Sequence, residues 1–200
     1  MEDVFRLEPR TQVNRTDSYI VSYPHILSYF SGRVSFDAAD LVRGAHMVYG
    51  WMPTIVELHV GSPSLDLSVG GELLTKAKIE GSLTDAELAS LASLVNHSLV
   101  GASKLLHFVA PDRFAIWDSK IFAFVFGQRP HNYRVNRIPS YRAYLEALRR
   151  VRADARFPQF RSSVNTKVGY DVSPLRAIEL VMFLNAPDVR TERLQPPGVR

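Results

Sequence analysis

Two hundred residues are enough for one sizeable core, and an apolar share of 46% with 22% charged residues is ordinary for a globular chain. Cysteine is absent, which removes disulfides, thiolate zinc sites, iron–sulfur clusters and cysteine nucleophiles together. The net charge of +4 is unevenly placed: residues 1–128 carry 10 Lys/Arg against 14 Asp/Glu, whereas residues 129–200 carry 14 against 6, and 13 of those cations are Arg.

The start, Met1-Glu-Asp-Val-Phe5, has neither the basic nor the apolar region of a signal peptide. No apolar run reaches the eighteen or so residues of a membrane span, so a cytoplasmic protein without membrane contact is expected. Residues 1–16, with mixed charge and one Pro, read as an extended or poorly ordered arm ahead of a single domain over 17–185. Pro24 starts a first helix. Ser35 caps a second, with Asp37 and Asp40 in its first turns and Leu41, Ala45, Val48 and Tyr49 at helical spacing; Pro53 ends it. Ile55, Val56 and Leu58 form a short apolar segment, so short strand or irregular structure is expected near 54–70. Gly61 to Gly71 reads as a loop and as the place for a lobe boundary. A short helix over Glu72 to Ile79 follows, and then Thr84-Asp-Ala-Glu87, a capping box that opens an amphipathic helix carrying Leu88, Leu91, Ala92 and Val95.

Leu99 to Val109 reads as a buried helix. Gly101, Ala102 and Ser103 at its start are small enough to let a backbone or a phosphate approach free amides, and Lys104 is its only cation. Asp118 follows Phe114-Ala-Ile-Trp117 and opens Ser119-Lys-Ile-Phe-Ala-Phe-Val-Phe126, the position of an N-cap. A carboxylate held there is also suited to activate water or to stabilise an oxocarbenium-like sugar. Gly127 to Pro139 is a polar loop in which basic and aromatic residues alternate. Ser140 caps a helix with Tyr141, Tyr144, Leu145 and Leu148 inward and Arg142, Arg149, Arg150 and Arg152 outward. Residues 154–172 read as irregular. Ser173-Pro174 starts a helix to Asn185 that is apolar nearly all round and therefore buried. The three-proline tail over 186–200 reads as mobile. Strand-like alternation is scarce and no repeat is present, so the class is all-α: an orthogonal array of helices.

Guanidinium grips phosphate through two parallel hydrogen bonds, so the Arg-dominated half suits a polyanionic partner, or else is a solvated face. No two of the six histidines lie three to five residues apart, so no metal site is read and no cofactor is implied. His107 reads as a core residue with a hydrogen bond. Trp117 is either core or a platform for a base, and Trp51-Met-Pro53 either a packing corner or an aromatic wedge. Oligomeric state leaves no signal.

Ser103-Lys-Leu-Leu-His-Phe-Val-Ala-Pro-Asp-Arg-Phe-Ala-Ile-Trp-Asp-Ser119 resembles the second half of the catalytic motif of the helix–hairpin–helix DNA glycosylase superfamily. It is most similar to a bacterial 8-oxoguanine-DNA-glycosylase-like group. Arg176-Ala-Ile-Glu-Leu-Val-Met-Phe-Leu184 is similar to that group's late helix. The resemblance covers residues 84–127 and 173–185, roughly a quarter of the chain. It implies a helical glycosylase fold with DNA as partner, Asp118 as the carboxylate at the glycosidic bond, and a hairpin on backbone phosphate. The hairpin's Leu-Pro-Gly-(apolar)-Gly signature is replaced here by His97-Ser-Leu-Val-Gly101, and Lys104 stands nearer the aspartate than the superfamily's Schiff-base lysine.

On this reading Asp118 and Lys104 are the catalytic candidates and Trp117 the base-stacking one. Gly101, Ser103, Ser119, Lys120, Arg129, Arg134, Arg137 and Arg149 are the nucleic-acid contacts. The flipped base loses its N-glycosidic bond. The alternative from a different class is a non-catalytic module for nucleic acid or a protein partner, in which Asp118 is only a helix cap.

Overall fold

Over residues 3–52, 54–61 and 66–187, which the computed structural model describes, the chain is all-α, with twelve α-helices. They are α1 (Val4–Leu7), α2 (Ser18–Val21), α3 (Tyr23–Ser31), α4 (Ala38–Trp51), α5 (Leu67–Glu80) and α6 (Asp85–Leu94). The second half holds α7 (Leu99–Val109), α8 (Ser119–Phe126), α9 (Asn132–Val135), α10 (Ile138–Arg152), α11 (Phe157–Val168) and α12 (Pro174–Asn185). One isolated antiparallel bridge, Leu58 to Val95, is the strand-like feature of the segment after α4. Pro53 and the tail from 188 onward lie outside the described residues.

The layout follows from α7. Apart from Ser103, Lys104 and His107 its residues are apolar or small on every side, so it is stable only when enclosed. Helices α3, α4, α5 and α6 pack around it, with α4 also against α5, while α12 closes the other side by packing on α1, α8, α10 and α11. One contiguous core results, from Phe30 and Leu41 through Leu105 and Phe108 to Tyr141, Leu148 and Ile178. At 25 cal/mol per Å² of apolar surface, each such buried side chain contributes about 1.5–3 kcal/mol. His107 is enclosed within that core. Its Nδ1 lies 2.8 Å from the Phe114 carbonyl and its Nε2 2.8 Å from the Tyr23 hydroxyl. A carbonyl can only accept, so Nδ1 carries the hydrogen and Nε2 accepts from Tyr23. Burial pushes the His107 pKa down to about 3, and the ring is neutral.

Local sequence signals set several boundaries as expected. Thr84 and Glu87 form the reciprocal capping box of α6, and Ser173 Oγ caps the Arg176 amide with Pro174 in the first turn of α12. Five segments differ from expectation. The N-terminal segment is not a loose arm: α1 buries Val4, and Glu8 is held by Lys167 at 2.6 Å and by Ser163 Oγ at 2.6 Å. Asp37 rather than Ser35 caps α4, in a capping box with Asp40. Helix α5 begins inside the expected loop, because Gly70 and Gly71 serve close packing rather than a turn. A Cβ on Gly70 would stand 2.4 Å from Leu41 Cδ2, and one on Gly71 2.7 Å from the Asp37 carbonyl carbon. Residues 157–168 form α11, burying Phe157, Phe160, Val164 and Val168, and α9 and the first residues of α10 occupy part of the expected polar loop.

Candidate active-site cleft

Asp118 stands where its neighbours force it to stand. Ser103 Oγ, on α7, accepts the Trp117 amide at 3.2 Å while donating to the Val100 carbonyl at 2.9 Å. The Trp117 indole donates to the Val135 carbonyl at 2.8 Å, and the Tyr141 hydroxyl donates to the Ala115 carbonyl at 3.0 Å. The approach to α8 is thereby tied to three other helices, and Asp118 emerges at a fixed point as the N-cap. Its Oδ1 accepts the Ile121 amide at 2.9 Å. Its Oδ2 lies 3.9 Å from Lys104 Nζ, with the two side chains only 14% and 12% exposed. The positive end of α8 and the lysine thus face the same carboxylate from two directions.

Both residues line an open cleft of about 1490 Å³ between α4, α7, α8, the segment before α9, and α12. That is larger than the roughly 300–1,000 Å³ of an ordinary small-ligand pocket. Tyr19, Tyr49, Trp51 and Phe183 supply aromatic wall, and Lys120 lies over the Phe183 ring at 4.5 Å. Near one rim, Asn96 and His97 both have left-handed backbone, with φ of 55° and 45°. Asn96 is kept there by accepting the Glu57 amide at 2.8 Å and donating to the Ile55 carbonyl at 3.1 Å. Two consecutive non-glycine residues in this conformation mark strain at the entrance to α7. The first amide of α7, at Leu99, is taken by Asn136 Oδ1 at 2.9 Å.

Of the expected site residues, Gly101, Lys104, Asp118, Ser119, Lys120 and Arg129 line this cleft. The others do not. Trp117 is fully enclosed at 0% exposure and packs on Tyr141 and Tyr144, so it holds the core and offers no face to a base. Ser103 is enclosed as well and acts as the strut just described. Arg134 lies 5.5 Å over the Tyr133 ring, Arg137 precedes α10 on the surface, and Arg149 pairs with Glu146 at 3.2 Å; none of them reaches the cleft wall. Much of the Arg-rich half is therefore a paired, solvated face: Arg142 likewise binds Asp85 at 3.0 Å.

Two residues that matter most at the floor of the cleft were not expected. Arg176 and Glu179 sit one turn apart on α12, 2% and 1% exposed, and pair through Nη1 and Oε2. Their signal in the sequence is two opposite charges, three positions apart, in a helix otherwise apolar nearly all round. Burial raises the Glu179 carboxyl to about 7; Arg176 lowers it, and Asp118 adds to the rise by like-charge repulsion. Burial likewise pushes the Lys104 amine below its ordinary value, against the pull of Asp118 and Glu179. Three buried side-chain atoms have no hydrogen-bond partner among the described residues: Arg176 Nε, Arg176 Nη2 and the Tyr144 hydroxyl. The Tyr144 hydroxyl is held protonated by burial first, and then by the charges of Glu179 and Asp118.

A smaller concavity of about 510 Å³, lined by Asp112, Arg113, Arg152, Arg161 and Pro174, contains none of these unpaired atoms. Among the described residues, no group of three or more His, Asp or Glu side chains is arranged to hold a metal, and no helix is long and apolar enough to cross a membrane. No protein-family model, no curated protein and no solved structure matches this chain.

Proposed function

We propose that this protein is a DNA-glycosylase-like enzyme that cleaves the N-glycosidic bond of a base flipped into the α7–α8–α12 cleft. The observation that carries the reading is Asp118: one carboxylate oxygen is occupied by the Ile121 amide, and the other faces Lys104 in a cleft with room for a nucleotide. The resemblance of Ser103 to Ser119 to the glycosylase motif supports it independently of the geometry.

In this reaction the C1′–N bond breaks and its electron pair leaves with the base. The sugar develops positive charge, which the Asp118 carboxylate stabilises at short range in a partly desolvated site. Water, or the Lys104 amine, then adds at C1′. Burial lowers the proton affinity of that amine, which enlarges its nucleophilic neutral fraction. Lys120 and Arg129, on the cleft wall, supply the positive charge that this reading gives to backbone phosphates, and the aromatic wall suits a planar base.

The test uses duplexes carrying hypoxanthine, 8-oxoguanine, uracil or alkylated purines, with base release measured for the wild type and for Asp118→Asn. Release by the wild type that falls about 10²–10³-fold in the variant is expected, the usual cost of losing an electrostatic stabiliser. Release that survives the substitution removes Asp118 from the chemistry. Borohydride trapping of a covalent adduct separates Lys104 from water as nucleophile. The competing reading, a binding module, rests on the intact cap from Asp118 to Ile121. It predicts salt-sensitive DNA binding with no release from any duplex.

A further inference from the structure

The floor of the cleft carries a guanidinium with one edge unused. Arg176 Nη1 is committed to Glu179, while Nε and Nη2 have no partner although the side chain is buried. These two nitrogens lie on the same edge of the planar group and point their hydrogens in parallel. That edge is the fork with which Arg holds two adjacent acceptor atoms. The guanidinium lies 5.0 Å from the centre of the Tyr23 ring and 5.6 Å from that of Trp51, and the residue is 2% exposed, so solvent does not satisfy its donors. Buried donors left unpaired cost free energy in the empty protein. Arg176 nevertheless lines the same cleft as Asp118 and Lys104.

We infer that Arg176 is the specificity-determining residue of this cleft, and that it reads the adjacent O6 and N7 acceptors of a 6-oxopurine such as guanine or hypoxanthine. The inference rests on the reading of the cleft as a base pocket and names the kind of base it takes. Paired acceptors on a purine edge are what an Arg fork holds most often in nucleic acids. An oxyanion fits the fork in shape but not in charge, because it would bring a further negative charge beside Asp118 and Glu179. A 6-oxopurine brings two acceptors with no net charge, and its ring matches walls made by Tyr19, Trp51 and Phe183. Adenine presents a donor where O6 would be, and 8-oxoguanine carries a hydrogen on N7, so each offers this edge only one acceptor. Glu179 acts through Arg176: by holding Nη1 it sets the direction in which the free edge points.

The experiment compares binding of labelled single-stranded oligothymidylates that differ at one central base: guanine, hypoxanthine, 7-deazaguanine or adenine. Fluorescence anisotropy is read with the full chain, and base release from the same strands is assayed in parallel. Guanine and hypoxanthine strands are expected to bind roughly tenfold more tightly than the 7-deazaguanine and adenine strands, the effect of one good bidentate contact. Arg176→Lys, which keeps the charge and loses the fork, is expected to erase that difference while retaining the binding common to all strands. Should that variant not fold, the wild-type comparison of guanine with 7-deazaguanine decides alone, since the two bases differ only at position 7. Equal binding of guanine and 7-deazaguanine overturns the inference, as does the absence of binding to every strand. Loss of the guanine preference in moderate inorganic phosphate at constant ionic strength also overturns it, because the fork then takes an oxyanion. Preference without base release leaves Arg176 as the reader and removes the glycosylase reading; release without preference does the reverse.

Discussion

Two of the polar side chains that helix α7 sends into the interior, Lys104 and His107, lie three positions apart and end in opposite circumstances. His107 reaches the Phe114 carbonyl and the Tyr23 hydroxyl, and every polar atom of that group has a partner. Lys104 reaches a floor where Asp118, Arg176 and Glu179 are crowded together and two buried guanidinium nitrogens have none. A closed polar network deep in a core specifies packing: it holds α3, α7 and the turn before α8 in one arrangement. An open one at the bottom of a cleft is costly in the empty protein, and its unsatisfied donors are what a ligand would meet. The two networks also respond to pH in opposite directions, since burial raises the Glu179 carboxyl to about 7 and lowers the His107 ring to about 3.

The largest effect is expected from Arg176→Met, which strands Glu179 in the interior and should cost about 3–5 kcal/mol in urea unfolding. Adding Glu179→Leu should recover most of that loss, because a buried pair is rarely better than apolar packing of the same volume. If the single substitution is neutral, the floor is not a coupled network. Next comes the pH dependence. Between 4.5 and about 7 the unfolded chain releases a proton that folded Glu179 retains, so stability falls as pH rises through this window. Glu179→Gln should flatten that fall, by ~3 kcal/mol over the window. His107 runs the other way: below its ordinary 6.5 the unfolded chain takes up a proton the folded ring refuses down to about 3, so stability falls as pH drops. A Glu179→Gln profile whose slope between 4.5 and about 7 matches the wild type's would break the contrast. His107→Leu should cost about 1–3 kcal/mol by leaving the Tyr23 hydroxyl and the Phe114 carbonyl unpaired, and Tyr23→Phe in the same chain should return part of it. The smallest change in stability is expected from Asp118→Asn, within about 1 kcal/mol, because asparagine caps a helix as well as aspartate does. A loss as large as that of Arg176→Met would make Asp118 a structural counter-charge rather than a group kept for chemistry.

What could be read from the chain alone was what short range decides. The capping box at Thr84, the Ser173-Pro174 start and the N-cap at Asp118 each depend on groups within four residues, and each is found as expected. The all-α class and the central position of α7 follow from apolar spacing over one helix. The glycines at 70 and 71 misled because a sequence does not say whether glycine supplies a turn or removes a side chain; here Leu41 and the backbone of Asp37 fill the space. Helix α11 was hidden by polar residues between its four widely spaced apolar positions. In the cleft, Lys104 and Asp118 stood close together along the chain and could be paired. Arg176 and Glu179 join them only through the packing of α12 on α8, across more than fifty residues of chain. Trp117 shows the converse limit: adjacency to Asp118 placed it in the right segment, but the turn from the approach into α8 sends the two side chains to opposite sides, one into the core and one toward solvent.

Glycine at 101 sets the gauge of the cleft mouth. Tyr49 on α4 crosses over it so closely that a methyl group at that position would sit 1.9 Å from the phenolic oxygen, and both residues belong to the cleft wall. Any side chain there has to push the phenol ring away. The seat of the Tyr49 ring in the cleft wall is therefore dictated by a missing atom, and alanine at 101 would displace that ring without touching a single charged group.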